Sequence, residues 1–345
     1  MHECANAGVP ERRRARGKSR VGSTCIGALV HLCIVVFTVS ATAQAADKYA
    51  LVVTGASAGA PYAEKYDAWR TAFVKALRER FDYPRDHIVV LAEKEAPGVA
   101  AATREHVQQA LGDLRKRLTK DDVLIVLLVG HGSAAGDEDA KFNLVGPDLS
   151  AKEWADLVRP IAGRLVFVDT TGGSYPFLHA LAGRNRVVLT ATDSAAQQFE
   201  TVFPEYFVKA FDDPAADADK NGRVSLWEAF SYASAEVGEW YDQHGQLPTE
   251  RALLDDTGAG IGREARNPGT DGAVAKVTYF DRASAPAAVD GSAMAALMKR
   301  RAELEAALDD LKARKPQMTP EDYEAALEKI LVELARVSQQ IRSGS

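Results

Sequence analysis

Residues 121–133, DDVLIVLLVGHGS, decide how this chain is read. Seven apolar residues run without interruption from Val123 to Val129. The run is too short for a buried helix and rich in branched side chains, so it reads as a central strand covered on both faces. It stops at Gly130-His131-Gly132, where two glycines let the backbone turn sharply and leave one imidazole at the strand's C-terminal end. In open parallel sheets that edge is where ligands bind. A second apolar run, residues 165–169 (LVFVD), ends in the small-residue turn Thr170-Thr171-Gly172-Gly173-Ser174. Two such strand ends lying side by side are the expected functional site.

The pattern repeats on either side of these strands. Residues 48–54 (KYALVVT) predict a first strand, followed by a helix over 62–81 with Trp69, Phe73, Val74 and Leu77 on one face. A second strand is expected at 87–91 (HIVVL), then a helix opened by Thr103 and His106 and continued through Val107, Leu111, Leu114 and Leu118. Beyond the central strand come a helix at 151–158, the strand at 165–169, a helix at 177–181 and a strand at 186–190 (RVVLT). Strands alternating with helices imply βαβ units, hence an α/β fold with a mainly parallel sheet. From residue 205 the pattern is helical. Residues 252–272, rich in Gly, Asp and Arg, read as irregular and exposed, and 283–291 as an Ala/Pro/Ser linker.

The first 45 residues are set apart by composition. Arg12, Arg13, Arg14, Arg16, Lys18 and Arg20 form a basic segment, residues 25–39 are apolar, and Ala43-Gln44-Ala45 fits a small-x-small cleavage site. This is the layout of an export signal, and the apolar run of about 15 residues is shorter than the 20 or so that a membrane span needs. The expected location is therefore periplasmic or extracellular, with no stable membrane span once the signal is removed. Cys4, Cys25 and Cys33, the three cysteines of the 345-residue chain, all lie in that segment. Residues 46–345 thus offer neither a disulfide nor a thiol nucleophile. The leading segment carries six basic and two acidic residues, so a net charge of −6 for the whole chain becomes about −10 without it. That balance argues against nucleic acid as a partner, since phosphate binding requires a basic face. At 46% hydrophobic and 26% charged, the composition is that of a protein with a sizeable core.

Two families bear on the glycine-rich strand ends. Thr54-Gly55-x-x-x-Gly59 resembles the nucleotide-binding turn of short-chain dehydrogenases, but no well-placed Tyr-x-x-x-Lys pair accompanies it. The better match covers residues 48–239. Leu128-Val129-Gly130-His131-Gly132 and Phe167-Val168-Asp169-Thr170-Thr171-Gly172-Gly173 resemble the two motifs that end the third and fourth strands of the caspase, legumain and gingipain peptidases. The resemblance implies a three-layer caspase-like α/β domain over residues 46–282. It also implies that His131 and Thr171, 40 positions apart, lie near each other. The family's nucleophile is a thiolate activated by the imidazole, and the aligned position here is Thr171. A hydroxyl is far less acidic than a thiol and needs a well-placed, oriented base. The expectation is therefore a degenerate peptidase that serves as a peptide- or protein-binding module. The alternative is an active hydrolase in which Thr171 or Ser174 attacks, His131 is the base and the Gly132 N–H helps hold an oxyanion. The other histidines, His87, His106, His179 and His244, show no metal-ligand spacing.

The most specific motif lies elsewhere. Residues 217–228, DADKNGRVSLWE, match the twelve-residue EF-hand loop. Asp217, Asp219 and Asn221 stand at positions 1, 3 and 5, Gly222 at the sharp turn, and Arg223 offers its carbonyl at 7. Ser225 stands at 9, where ligation often runs through water, and Glu228 at 12. Calcium is the expected cofactor, and because a partner loop is lacking, a structural site is expected rather than a switch.

The tail repeats apolar residues at heptad spacing: Tyr323, Leu327, Ile330, Leu334, Val337 and Ile341, preceded by Leu297, Leu304, Leu308 and Leu311. Lys315-Pro316 breaks the pattern, and Thr319-Pro320-Glu321-Asp322 starts a new helix. Residues 283–345 thus predict a linker and a C-terminal helical hairpin, or self-association through a coiled coil.

Overall fold

The computed structural model describes residues 46–281 and 318–343, together with positions 297, 300, 301, 304, 307, 308 and 311. The segment assigned to the export signal and the linker at 283–291 lie outside the described residues. Among the described residues no helix is long and apolar enough to cross a membrane.

Strand β4 (Val123–Val129) is central, as its unbroken apolar run requires. It lies between β1 (Lys48–Thr54) and β8 (Arg164–Asp169), both parallel to it. Outside these stand β2 (Ile88–Ala92) and the short β3 (Ala100–Ala101) on one side, and β9 (Arg186–Thr190) on the other. The order is β10-β9-β8-β4-β1-β2-β3, parallel throughout except for β10 (Leu253–Asp255), which runs antiparallel along β9. Strand β10 corrects the reading of 252–272 as irregular and exposed. A three-residue run is too short to register as periodicity, and the aspartates that follow it are buried because they hold the next turns together. Asp255 accepts from the N–H groups of Thr257, Gly258 and Gly260, and Asp256 from those of Gly272, Val274 and Ala275.

Alternate residues of the sheet feed two cores. Ala50, Val52, Ile125, Leu127 and Val129 face α1 (Ala60–Lys75), α5 (Phe203–Lys209) and α6 (Leu226–Gln243), meeting Phe73, Phe207 and Phe230. Tyr49, Leu51, Val53, Leu124, Val126 and Leu128 face α2 (Arg104–Arg117), α3 (Ala151–Val158) and α4 (Tyr175–Leu181), around the fully buried Trp154. Period-two alternation of a strand buried on both faces gives three layers, helices on sheet on helices. This is the three-layer α/β fold with a mainly parallel sheet that the strand–helix alternation implies. The helix expected over 62–81 begins earlier and passes at Ala76 into a short π-turn that ends at Arg80. A small antiparallel sheet, β5 (Gly132–Ser133), β6 (Lys141–Phe142) and β7 (Leu149–Ser150), folds back from the end of β4.

In the tail, α8 (Pro320–Ser343) starts where the sequence sets it. Thr319 Oγ1 accepts from the Asp322 N–H at 3.2 Å and donates to the Asp322 carboxylate at 2.7 Å. Arg300 reaches Glu333 of α8 at 2.6 Å, and Leu304, Leu311 and Val337 are buried. These contacts join the preceding helical positions to α8 as the two arms of a hairpin.

Candidate functional site

The two motif turns meet at the C-terminal edge of the sheet. Leu128 of β4 is paired with Asp169 of β8, and Thr170 N–H donates to the Leu128 carbonyl. A Cβ placed on Gly132 would lie 2.7 Å from Thr171 Oγ1 and would collide with the Gly172 carbonyl oxygen. Only glycine permits this approach, so the position after His131 is set by the packing of one turn on the other.

Each reactive group at this edge is engaged internally. Thr171 is fully buried; its N–H and hydroxyl donate to Asp169 Oδ1 at 3.0 and 2.8 Å. Asp169 is itself fully buried, and among the described residues no group donates to its Oδ2. Burial raises its carboxyl to about 6, against the opposing effect of the Thr171 hydrogen bonds. Ser174, also fully buried, accepts from the N–H groups of Ala191 and Thr192 at 3.1 and 3.2 Å, and its hydroxyl lies 3.1 Å from that of Thr192. It fastens α4 to the end of β9.

His131 is half-buried between Tyr62 and Tyr66, whose rings meet the imidazole edge-on at centroid distances of 4.9 and 5.5 Å. Its Nε2 lies 3.1 Å from the Ser57 carbonyl oxygen. A carbonyl only accepts, so Nε2 donates to it, and the Tyr66 hydroxyl lies 3.3 Å from Nδ1 and 3.2 Å from Nε2. Burial also raises the Tyr66 hydroxyl above the ordinary phenol range, which keeps it a donor. Both ring nitrogens thus lie within hydrogen-bond distance of the Tyr66 hydroxyl.

Residues 195–201 cross over the Thr171 turn. Gly173 N–H donates to the Gln197 carbonyl at 2.6 Å, the Thr201 hydroxyl donates to the Thr170 carbonyl, and Glu200 pairs with Lys65 of α1 at 3.2 Å. Gln198 Nε2 reaches back to the Ala134 carbonyl. Sequence reasoning singled out neither this strap nor Asp169, Tyr62 and Tyr66. Asp169 ends the second motif strand, and its place two residues before Thr171 was the available signal; the tyrosines reach the site only through tertiary packing.

The loop 217–228 lies at the opposite edge of the sheet. Leu226 N–H donates to the Thr278 carbonyl at 2.7 Å, and Ser225 bridges to Tyr279. Lys48 and Arg164, which begin β1 and β8, donate to the Tyr279 carbonyl at 2.6 Å and the Thr278 hydroxyl at 3.2 Å. Burial lowers the Lys48 ammonium to about 8. Residues 278–281 thus occupy the side of the loop where an EF-hand would meet its partner.

The loop has the conformation its sequence dictates. Gly222 adopts φ +83°, the left-handed turn at position 6, and Asp217 accepts from the Asn221 and Gly222 N–H groups at 3.0 and 2.8 Å. Ser225 and Glu228 form a reciprocal cap at the start of α6. Carboxylate oxygens of Asp217, Asp219 and Glu228 converge within 4.8 Å of one another. Burial, and next the charge of Glu228, raise the Asp219 carboxyl above its usual range. A hard divalent cation fits this donor set, which is all oxygen and carries three carboxylates; Asn221 Oδ1, the Arg223 carbonyl and Ser225 stand at the remaining ligand positions.

No family model matches the chain, and no curated protein matches it. Among solved structures, a Geobacter sulfurreducens protein is similar with a TM-score of 0.40 at 14% identity, over 63% of this chain and 97% of that one. The Drosophila initiator caspase Dronc is similar with a TM-score of 0.38 at 11% identity, over 64% of this chain and 84% of that one. Raptor from Chaetomium thermophilum is similar with a TM-score of 0.30 at 11% identity, over 50% of this chain and 19% of that one.

Proposed function

We propose that this is an exported, non-catalytic caspase-like domain that binds a peptide or protein, with a calcium ion held by the loop 217–228. The observation that carries the reading is Thr171. It stands where the related peptidases have their thiol, it is fully buried, and its hydroxyl proton is directed to Asp169 rather than to His131. Thiol chemistry is excluded in residues 46–345, which contain no cysteine. The His131 imidazole is held between the Ser57 carbonyl and the Tyr66 hydroxyl. What the edge still offers a ligand is surface: the Tyr62 ring and the exposed side chain of Phe199 on the strap. Aromatic rings of this kind suit an extended peptide.

Calcium would be held by Asp217, Asp219, Asn221, the Arg223 carbonyl, Ser225 and Glu228. It would supply charge neutralisation and would fix the start of α6. An exported protein meets calcium at concentrations that suit even weak sites, with Kd of about 10⁻⁴ to 10⁻³ M. Two measurements test the reading. Calorimetry should show one calcium ion per chain, with the heat lost in Asp217→Ala and Glu228→Gln. An immobilised peptide library should retain the protein through a limited set of sequences and lose it on Phe199→Ala. Retention of no peptide, or retention indifferent to Phe199, would contradict the binding role.

A further inference from the structure

The loop 217–228 touches a second element that its sequence does not announce. Arg301, from the first arm of the tail, donates from Nη2 to Asp219 Oδ2 at 3.0 Å, and its side chain is 20% exposed. The other oxygen of Asp219, Oδ1, accepts from the Asn221 backbone N–H at 3.0 Å. Oδ2 is therefore the oxygen that the loop's own backbone leaves for an outside cation. Its remaining contact is the Asn221 side-chain amide at 2.9 Å.

The other cationic groups around the loop have different partners. Arg223 pairs with both carboxylate oxygens of Asp281 at 2.6 and 2.7 Å and stacks 3.7 Å from the centroid of Tyr279. Lys220 Nζ lies 3.4 Å from the Pro214 carbonyl. Arg301 pairs with Asp219, one of the three convergent carboxylates. Its neighbour Arg300 holds Glu333 of α8, so the arm that carries Arg301 also carries the rest of the hairpin.

We propose that Arg301 and a calcium ion are exclusive partners of Asp219, so that calcium binding releases the C-terminal helices from the core. The inference rests on the calcium reading of the loop. A divalent ion ligated by Oδ2 would sit beside the guanidinium, where the two positive charges repel. Linkage makes the effect reciprocal: whatever factor Arg301 takes from calcium affinity, calcium takes from the docking of the tail. The loop then acts as a switch on the tail, where the sequence alone suggested a structural site.

The test uses the chain from Gln44 onward, which is one compact unit. Calcium is titrated calorimetrically into the wild type and Arg301→Ala, and amide exchange of residues 318–343 is followed with calcium and with magnesium. Expected are calcium binding about tenfold tighter in Arg301→Ala, and loss of exchange protection in the wild-type tail when calcium saturates. Equal affinities with tail protection unchanged by calcium would overturn the switch while leaving the calcium site in place. Absence of calcium binding in both proteins would overturn the site and the switch together. The exchange measurement on the wild type needs no variant, so it decides the question even if Arg301→Ala folds poorly.

Discussion

The two edges of the central sheet use carboxylates in opposite ways. At the C-terminal edge Asp169 is sealed inside the fold with Thr171, and its proton is retained to about pH 6. At the N-terminal edge carboxylate oxygens of the half-buried Asp217, the exposed Asp219 and the buried Glu228 converge within 4.8 Å of one another. The first arrangement engages the Thr171 and Ser174 hydroxyls internally and leaves Asp169 Oδ2 without a donor among the described residues. The second gathers negative charge that Arg301 offsets only in part. The edge that carries the peptidase-like motif thus buries its carboxylate, and the edge without one gathers three carboxylates within 4.8 Å of one another.

Substitutions at the two glycines should separate these edges most sharply. Gly132→Ala puts a methyl group against the Gly172 carbonyl and the Thr171 hydroxyl, neither of which can withdraw. A loss of about 3 kcal/mol is expected, read as a lowered denaturant midpoint. Gly222→Ala meets nothing within 4 Å and suffers only from φ +83°, so a loss nearer 1 kcal/mol is expected. Equal losses would mean that the turns at the C-terminal edge are not packed as described.

A smaller effect than that of Gly132→Ala should appear in the pH dependence. In the unfolded chain Asp169 ionises near pH 4, whereas in the fold it holds its proton to about 6. The folded state therefore binds more protons between those values, and stability must fall as pH rises through that window, by roughly 2 to 3 kcal/mol. Glu250, raised by burial to about 7, adds a slope of the same sign. Asp169→Asn should remove its share: the variant should gain on the wild type between pH 4 and 6 and keep that gain above. A difference that does not vary with pH would show that the Asp169 carboxyl is not sealed from water. Smaller again, Ser174→Ala should cost about 1.5 kcal/mol by leaving the Ala191 and Thr192 N–H groups without their acceptor.

Much of this was legible in the chain. The apolar run of β4 and the βαβ alternation specify the three-layer sheet because a strand buried on both faces admits few other environments. The turn at Gly222 and the reciprocal cap of Ser225 and Glu228 were readable because local geometry dictates them. Strand β10 was not, since three residues carry no period and their burial comes from packing on β9. Nor was the commitment of His131 to Tyr66, of Thr171 to Asp169, or of Asp219 to Arg301, partners separated by 65, 2 and 82 positions respectively. The close pair was visible as neighbours in sequence, but its burial was not, and burial is what turns a candidate nucleophile into a structural hydroxyl.

The central claim is that the His131–Thr171 edge binds without cleaving. The most direct measurement is turnover of a broad peptide library by the chain from Gln44 onward, at saturating calcium, compared with His131→Ala prepared identically. The account predicts the same background rate for both proteins. Hydrolysis by the wild type that falls by a factor of about 10² or more in His131→Ala would contradict it.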